Sequence, residues 1–435
     1  MSDRDGVPAG EALLAFRPGV DGPWDRPAAA HLARRAGYGM DPEVVERILE
    51  AGPERAPSLL YERKAEPEGV ELTSSSALKL GNVEASQSAW AYRMLFGSCP
   101  AIEKLALFWH GHFATSARKV DDAKLMLRQI ELFREKGAGP FLDLLGGVAR
   151  DPAMLVWLDG NSNRRGKPNE NFARELFELF ALGIGNYTEA DIKEAARAFT
   201  GWHVRDGEYW FNERAHDTGS KTVFGRSGEW VGDDILKMSV EHEACARFIS
   251  GKLFEYYVHT APGPELRREL AALFRGAGGR TGEFLAKLLG SRVFHSSKAR
   301  RALVSSPADY TVGSLRTIGA KASAKALVKS MAAMGLELLA PPSVKGWAGG
   351  EAWLSSTTLL SRYGFAMGVG GVSDFGGEPL EVAADWEKVG AAGPASLFFP
   401  EGLPDAIGED VRATSGCDAR TLVMSCLQAP EAQYI

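Results

Sequence analysis

Cysteine is scarce in this chain, and what there is lies scattered. The 435 residues hold four cysteines, Cys99, Cys245, Cys417 and Cys426. They form no CxxC pair and no Cys/His spacing of the zinc kind, which argues against a disulfide framework and a cysteine-ligated zinc site. All four read as reduced thiols, with Cys417 and Cys426 the one pair placed to form a bond. No apolar run reaches the roughly 18 residues that a membrane-spanning helix needs. The opening stretch, MSDRDGVPAGEALLAFRPG, carries acidic residues and no apolar segment of signal-peptide length, so a soluble cytoplasmic protein is expected. An excess of positive charge is missing too. The 50 basic and 56 acidic residues are mixed along the chain and sum to -6, which leaves no electrostatic footprint for nucleic acid. Strictly alternating runs of β-branched residues are almost absent, and this leaves little room for a large sheet.

What is present is an ordinary globular balance of 45% hydrophobic and 24% charged residues, with one skew. Glycine supplies 49 of the residues, above the share of roughly 7% in average proteins. The excess gathers around four polar motifs described below. The dominant hydrophobic period is helical. Between Asp121 and Glu135, for example, Ala123, Met126, Leu127, Ile130 and Phe133 recur at three and four, with Gly137, Gly139 and Pro140 as stop signals. The same spacing predicts helices over Pro27 to Ala36, Pro42 to Ala51, Val83 to Leu95, Ile102 to Trp109, Asn169 to Leu182, Glu189 to Thr200, Val240 to Val258 and Lys298 to Arg316, among others. Short aromatic-rich pieces at Glu208 to Asn212 and Lys221 to Phe224 read as an inserted hairpin or small sheet. The expected fold is therefore mainly α, a multi-helix globular domain with a small inserted β-hairpin or sheet. Residues 1–25 form an N-terminal extension in this reading, 26–367 the helical domain with its insertion near 202–234, and 368–435 an irregular C-terminal segment packed on the same domain.

Four constellations carry the polar chemistry. In FWHGHFATS, His110 and His112 stand two apart, so on a regular helix their rings point about 200° from one another. If Gly111 ended the helix, an extended turn would bring both to one side. In PNENFARELFELF, the residues Glu170, Asn171, Arg174, Glu175 and Glu178 fill one helical arc; they are either a solvated charged face or a set of acids grouped around Arg174 in a cleft. His216, Asp217 and Lys221 lie at the tip of the insertion, where turn chemistry alone also explains the Asp, Gly and Ser content. In PPSVKGWAGGEAW, Trp347 and Trp353 flank a glycine-rich loop, either pinned to the core or exposed as a stacking platform.

These segments resemble the bacterial family known as domain of unknown function 1800. The resemblance is carried by HLARRAGYG from His31, KLALFWHGHFATS from Lys104, ARDPAMLVWLDGNSNRRGKPNENFARELFELFALGIGNYTEADIKEAARAFTGW from Ala149, HDTGSKTVFGRSG from His216 and PPSVKGWAGGEAWLSSTTLLSR from Pro341. It implies a mainly helical fold and transfers no catalytic residue. It also implies a candidate partner, a sulfatase-like protein of the domain of unknown function 1501 family, often encoded beside such chains. Two functional expectations follow. The first is a metal-assisted or acid/base hydrolase whose cleft joins the three polar motifs: Glu170, Arg174, Glu175 and His112 as catalytic groups, Asn171, Lys221 and Trp347 on the substrate, and His110, His216 and Asp217 holding a divalent metal. It requires these groups to converge in one pocket. The second is a non-catalytic binding or chaperone-like partner of the sulfatase-like protein, with the charged motifs acting as internal struts.

Overall fold

The structure is a computed structural model that describes residues 7–8, 10–372, 380–403 and 418–435. Cys417, and with it the bond considered to Cys426, lies outside these residues; Cys99, Cys245 and Cys426 are buried free thiols. The fold is mainly helical, and among the described residues only two small antiparallel two-stranded sheets occur.

The helices begin where polar caps permit. Asp122 accepts from the backbone N–H groups of Lys124 and Leu125 to start Ala123–Lys136, and Asp25 accepts from Ala28 to start Arg26–Ala36. Several expected helices are cut by local chemistry. The helix expected to end at Ala51 continues as Pro42–Leu59 across a break at Gly52, whose φ of 76° interrupts the first segment before Pro53 opens the second. The segment expected as Val240 to Val258 divides at His242, whose ring accepts from Ala244 N and starts Glu243–Tyr257. Of Lys298 to Arg316, Pro307–Thr317 is the helix, started by a capping box between Ser306 and Asp309. In the C-terminal segment expected to be irregular, Trp386–Ala392, Pro394–Phe398 and Ala419–Gln428 are helices.

The insertion is two hairpins. Trp202–Arg205 pairs with Glu208–Phe211, and Lys221–Val223 with Arg226–Gly228, so the two strand pieces expected to pair with one another belong to different ribbons. Asp206-Gly207 and Phe224-Gly225 turn them, all four residues at positive φ, as a two-residue loop between twisted strands demands.

One large hydrophobic cluster runs from Ala12 to Ala429, with a small satellite of Ala77, Ala89 and Leu127 beside it. Through the large cluster passes the helix Pro100–His112, nearly every residue of which is buried, including Glu103 and Lys104. Charged groups stay in such surroundings only when paired. Glu103 accepts from Arg134 at 2.6 Å and from the Trp90 indole at 3.1 Å, while Lys104 donates to Asp309 at 2.7 Å. These pairs lie on different sides of the helix, and the side bearing Lys104 faces a cleft.

Candidate functional site

The cleft has a volume of about 540 Å3. Its first wall is one stripe of the Pro100–His112 helix: Lys104, Leu107, Phe108, Gly111 and His112 all line it, the spacing i, i+3, i+4, i+7, i+8 of a single helical face. The Glu243–Tyr257 helix supplies Lys252, Glu255 and Tyr256 by the same rule, and the start of Pro307–Thr317 supplies Ser306 and Asp309. The glycine-rich loop closes the far side with Lys345, Trp347 and Trp353. Gly346 lets that loop lie on the helix. A Cβ there would sit 2.3 Å from the Gly111 carbonyl oxygen, and its φ of 75° is itself one that glycine favours.

At the floor, His112 Nε2 lies 2.9 Å from the carbonyl oxygen of Phe180. A carbonyl only accepts, so Nε2 carries the proton and Nδ1 presents its lone pair. Lys252 Nζ stands 3.3 Å from that Nδ1 and 4.7 Å from the centre of the Phe248 ring. Burial lowers the lysine to a pKa of about 8, with the Glu255 carboxylate opposing the shift. Burial, with the nearby Lys252 charge, holds His112 well below the usual histidine range, so the ring stays neutral. Phe180 lies in a π-helical turn, Leu176–Ala181, that continues the short helix Asn171–Glu175. Carbonyls at a helix end lack intrahelical partners, and His112 satisfies this one, tying the FWHGHF and NENFAREL motifs together.

Beside this dyad, Lys104 and Asp309 form a buried ion pair in which each group also has other work. Lys104 donates to the Arg34 carbonyl at 3.3 Å, and the second Asp309 oxygen accepts from Ser306 Oγ at 2.7 Å. Glu255 accepts from Arg267 at 3.1 Å.

The other expected site residues are placed as follows. The helix runs unbroken through Gly111, so His110 points away from His112 and the extended turn does not form. His110 is fully buried among the rings of Trp90, Phe133 and Trp347, with no hydrogen-bond partner on either ring nitrogen among the described residues, and burial lowers it to a pKa of about 3. His216 Nδ1 is 2.8 Å from the Thr200 carbonyl oxygen, and Asp217 accepts from Arg197 at 2.9 and 3.1 Å and from Gly219 N at 2.9 Å. The Arg197 hydrogen bonds hold the Asp217 carboxyl below its ordinary range. No three His, Cys, Asp or Glu side chains among the described residues converge to hold a metal ion. The expected trio of His110, His216 and Asp217 therefore does not assemble, because one member is enclosed by rings and the others are engaged by Thr200, Arg197 and Gly219. Lys221 is buried, and its ammonium donates to the carbonyls of Asp217 and Gly219 at 2.6 and 2.9 Å.

On the acidic helix, Arg174 turns outward to Glu170 at 3.0 Å and Glu189 at 2.8 Å. Asn171 reaches Asp159 Oδ2 at 3.4 Å. Glu175 is half-buried; burial and the neighbouring Glu178 raise its pKa, while Lys345 on the cleft rim and Arg174 oppose the rise. Of the expected site residues, His112 and Trp347 line the cleft and Glu175 adjoins it through Lys345. Lys252, Lys104 and Asp309 were missed. The signal for the two lysines is a lysine on an otherwise apolar helical stripe, since Lys104 precedes Phe108 by four residues and Lys252 follows Phe248 by four.

The family of proteins of unknown function called DUF1800 matches residues 31–433, and the chain belongs to it. No curated protein and no solved structure matches the chain.

Proposed function

We propose that the cleft is the working site of an acid/base enzyme of the hydrolase type, with Lys252 and His112 handling the proton. The observation that carries this reading is the contact of 3.3 Å between Lys252 Nζ and His112 Nδ1 on the floor of a cleft large enough for a small substrate. A lysine near a pKa of 8 exchanges its proton close to neutral pH, which is what a general acid/base must do. Its neutral amine takes a proton from water or a substrate hydroxyl, and the resulting ammonium returns it to a leaving group. His112, held by Phe180, steers the amine and accepts its hydrogen bond. No step is routed through a metal, because the donor groups do not converge among the described residues.

The test is turnover of a panel of chromogenic carboxylic, phosphoric and glycosidic esters by wild type, Lys252→Met and His112→Gln, with folding checked by circular dichroism. Loss of at least about 100-fold in the lysine variant, with a rate limb near pH 8 in the wild type, is the expected outcome. Hydrolysis that survives Lys252→Met unchanged overturns the reading.

The second reading, a binding partner of a sulfatase-like protein, draws support from one feature. Leu359, Leu360 and Tyr363 are exposed together on the helix Ser356–Val369, and exposed apolar patches often mark contact surfaces. Co-purification with that partner, abolished by Leu360→Glu and retained by His112→Gln, would favour it over the enzyme.

A further inference from the structure

The cleft's charges do not balance. Lys104 is neutralised by Asp309 at 2.7 Å, and Glu255 by Arg267 at 3.1 Å. Ile435, at the cleft edge, has its backbone oxygen held by Arg35 at 3.0 Å. That leaves Lys252 and Lys345, neither of which has a carboxylate within 4.0 Å among the described residues. Glu175 acts on Lys345 from beyond ion-pair distance. Around these two cations the lining is aromatic: Phe108, Tyr256, Trp347 and Trp353. Trp347 is half-buried and braced from behind, its ring 5.4 Å from that of His110 and against Gly111. A partly desolvated cation without a counter-ion, beside braced ring faces, suits a ligand that brings a negative charge and a flat apolar face together.

We propose that the cleft binds a small organic anion, with its carboxylate or phosphate at Lys252 and Lys345 and its ring along the wall made by Trp347 and Trp353. This deepens the reading of the cleft as the working site by naming the substrate class, and it is tested by binding alone. Whether the ring is aromatic or a sugar is decided by the probes.

The experiment titrates the full chain with 1-naphthoate, its neutral counterpart 1-naphthamide, and glucuronate, reading tryptophan fluorescence and calorimetry. Binding of naphthoate or glucuronate is expected, at least about tenfold tighter than naphthamide and weakened by salt. Lys345→Glu and Lys252→Met should each weaken the anion by about tenfold or more while leaving naphthamide unchanged, and Trp353→Ala should weaken both ring probes. Naphthamide binding as tightly as naphthoate, no binding of either anion at millimolar concentration, or full affinity in Lys345→Glu would each overturn the proposal. The two readings fail separately. Anion affinity retained in Lys252→Met together with lost turnover sinks the anion site and leaves proton transfer standing; weakened binding with unchanged turnover does the reverse.

Discussion

The loop that joins the two hairpins and the floor of the cleft contain the same polar ingredients, a histidine, a lysine and a carboxylate, in opposite states. In that loop, Lys221 donates to the carbonyls of Asp217 and Gly219, Asp217 accepts from Arg197 and Gly219, and His216 is bonded to Thr200. Every group is engaged by residues near it in the chain or on the adjoining helix, and together they fix the loop. On the cleft floor, Lys252 reaches only a neutral imidazole and an aromatic face, and the nearest carboxylate, Glu255, is committed to Arg267. Residue type alone does not separate the two regions. The hydrogen-bond inventory does: where donors and acceptors are all matched the chain is holding itself together, and where a half-buried cation lacks a counter-charge it is stabilised only when something arrives.

The comparison breaks most readily at the ion pair beside the dyad. Asp309→Ala strands the Lys104 ammonium in the interior and removes a capping box, and the expected loss of stability is about 3–5 kcal/mol. Urea unfolding measures it, and the double variant Lys104→Met, Asp309→Asn should recover much of the loss. Lys252 should move the other way. Replacing it with methionine is expected to stabilise the protein at pH 7, by on the order of 1–3 kcal/mol, because it removes a cation that folding desolvates without pairing. The sign can be checked by pH. The folded lysine titrates near 8 and the unfolded one at the ordinary 10.5, so between these values the unfolded chain binds more protons. Wild-type stability from this group should therefore rise as pH climbs through that window, with the penalty fully present below it, and the slope should vanish in Lys252→Met. Anion affinity should fall over the same rise in pH. A destabilised Lys252→Met would place this lysine with the structural pairs and erase the contrast.

Much of the architecture was legible because it rests on local signals. The helical period, the Asp caps and the Ser306 to Asp309 box are written in short stretches of sequence. Two local signals were under-read: Asp206-Gly207, a standard two-residue hairpin turn, and the stripe Phe141, Leu144, Leu145, Val148 and Ala149, which packs the inner face of Phe141–Arg150. The site was legible only in part. His112 and Trp347 stood out as residue types inside unusual motifs. Lys252 is 140 positions from His112, and no local pattern specifies that two helices will bring them together. The reverse error has the same origin. His216 and Asp217 look reactive in sequence because the Arg197 that engages the carboxylate sits on the helix Glu189–Ala198, and the Thr200 that engages the ring in the turn just after it, both ahead of the hairpins.

The loop between the hairpins and the acidic helix supply the smaller tests. Asp217→Ala removes one of the two carboxylates that engage Arg197, which keeps Glu194, and leaves the Gly219 N–H without its acceptor in a partly exposed setting; a cost of about 1–2 kcal/mol is expected in thermal unfolding, with anion affinity per folded molecule unchanged. A change in affinity would mean that this loop communicates with the cleft. Arg174→Ala should do least. Arg174 has two acidic partners, Glu170 and Glu189, yet it and they face solvent, where the attraction is screened and fixing the long side chain offsets much of the gain. Its unfolding midpoint should stay where it is in the wild type. If instead Arg174→Ala abolishes turnover while leaving that midpoint in place, the charged face of NENFAREL takes part in the chemistry, and the boundary between the cleft and its surroundings must be moved outward past Glu175 to include it.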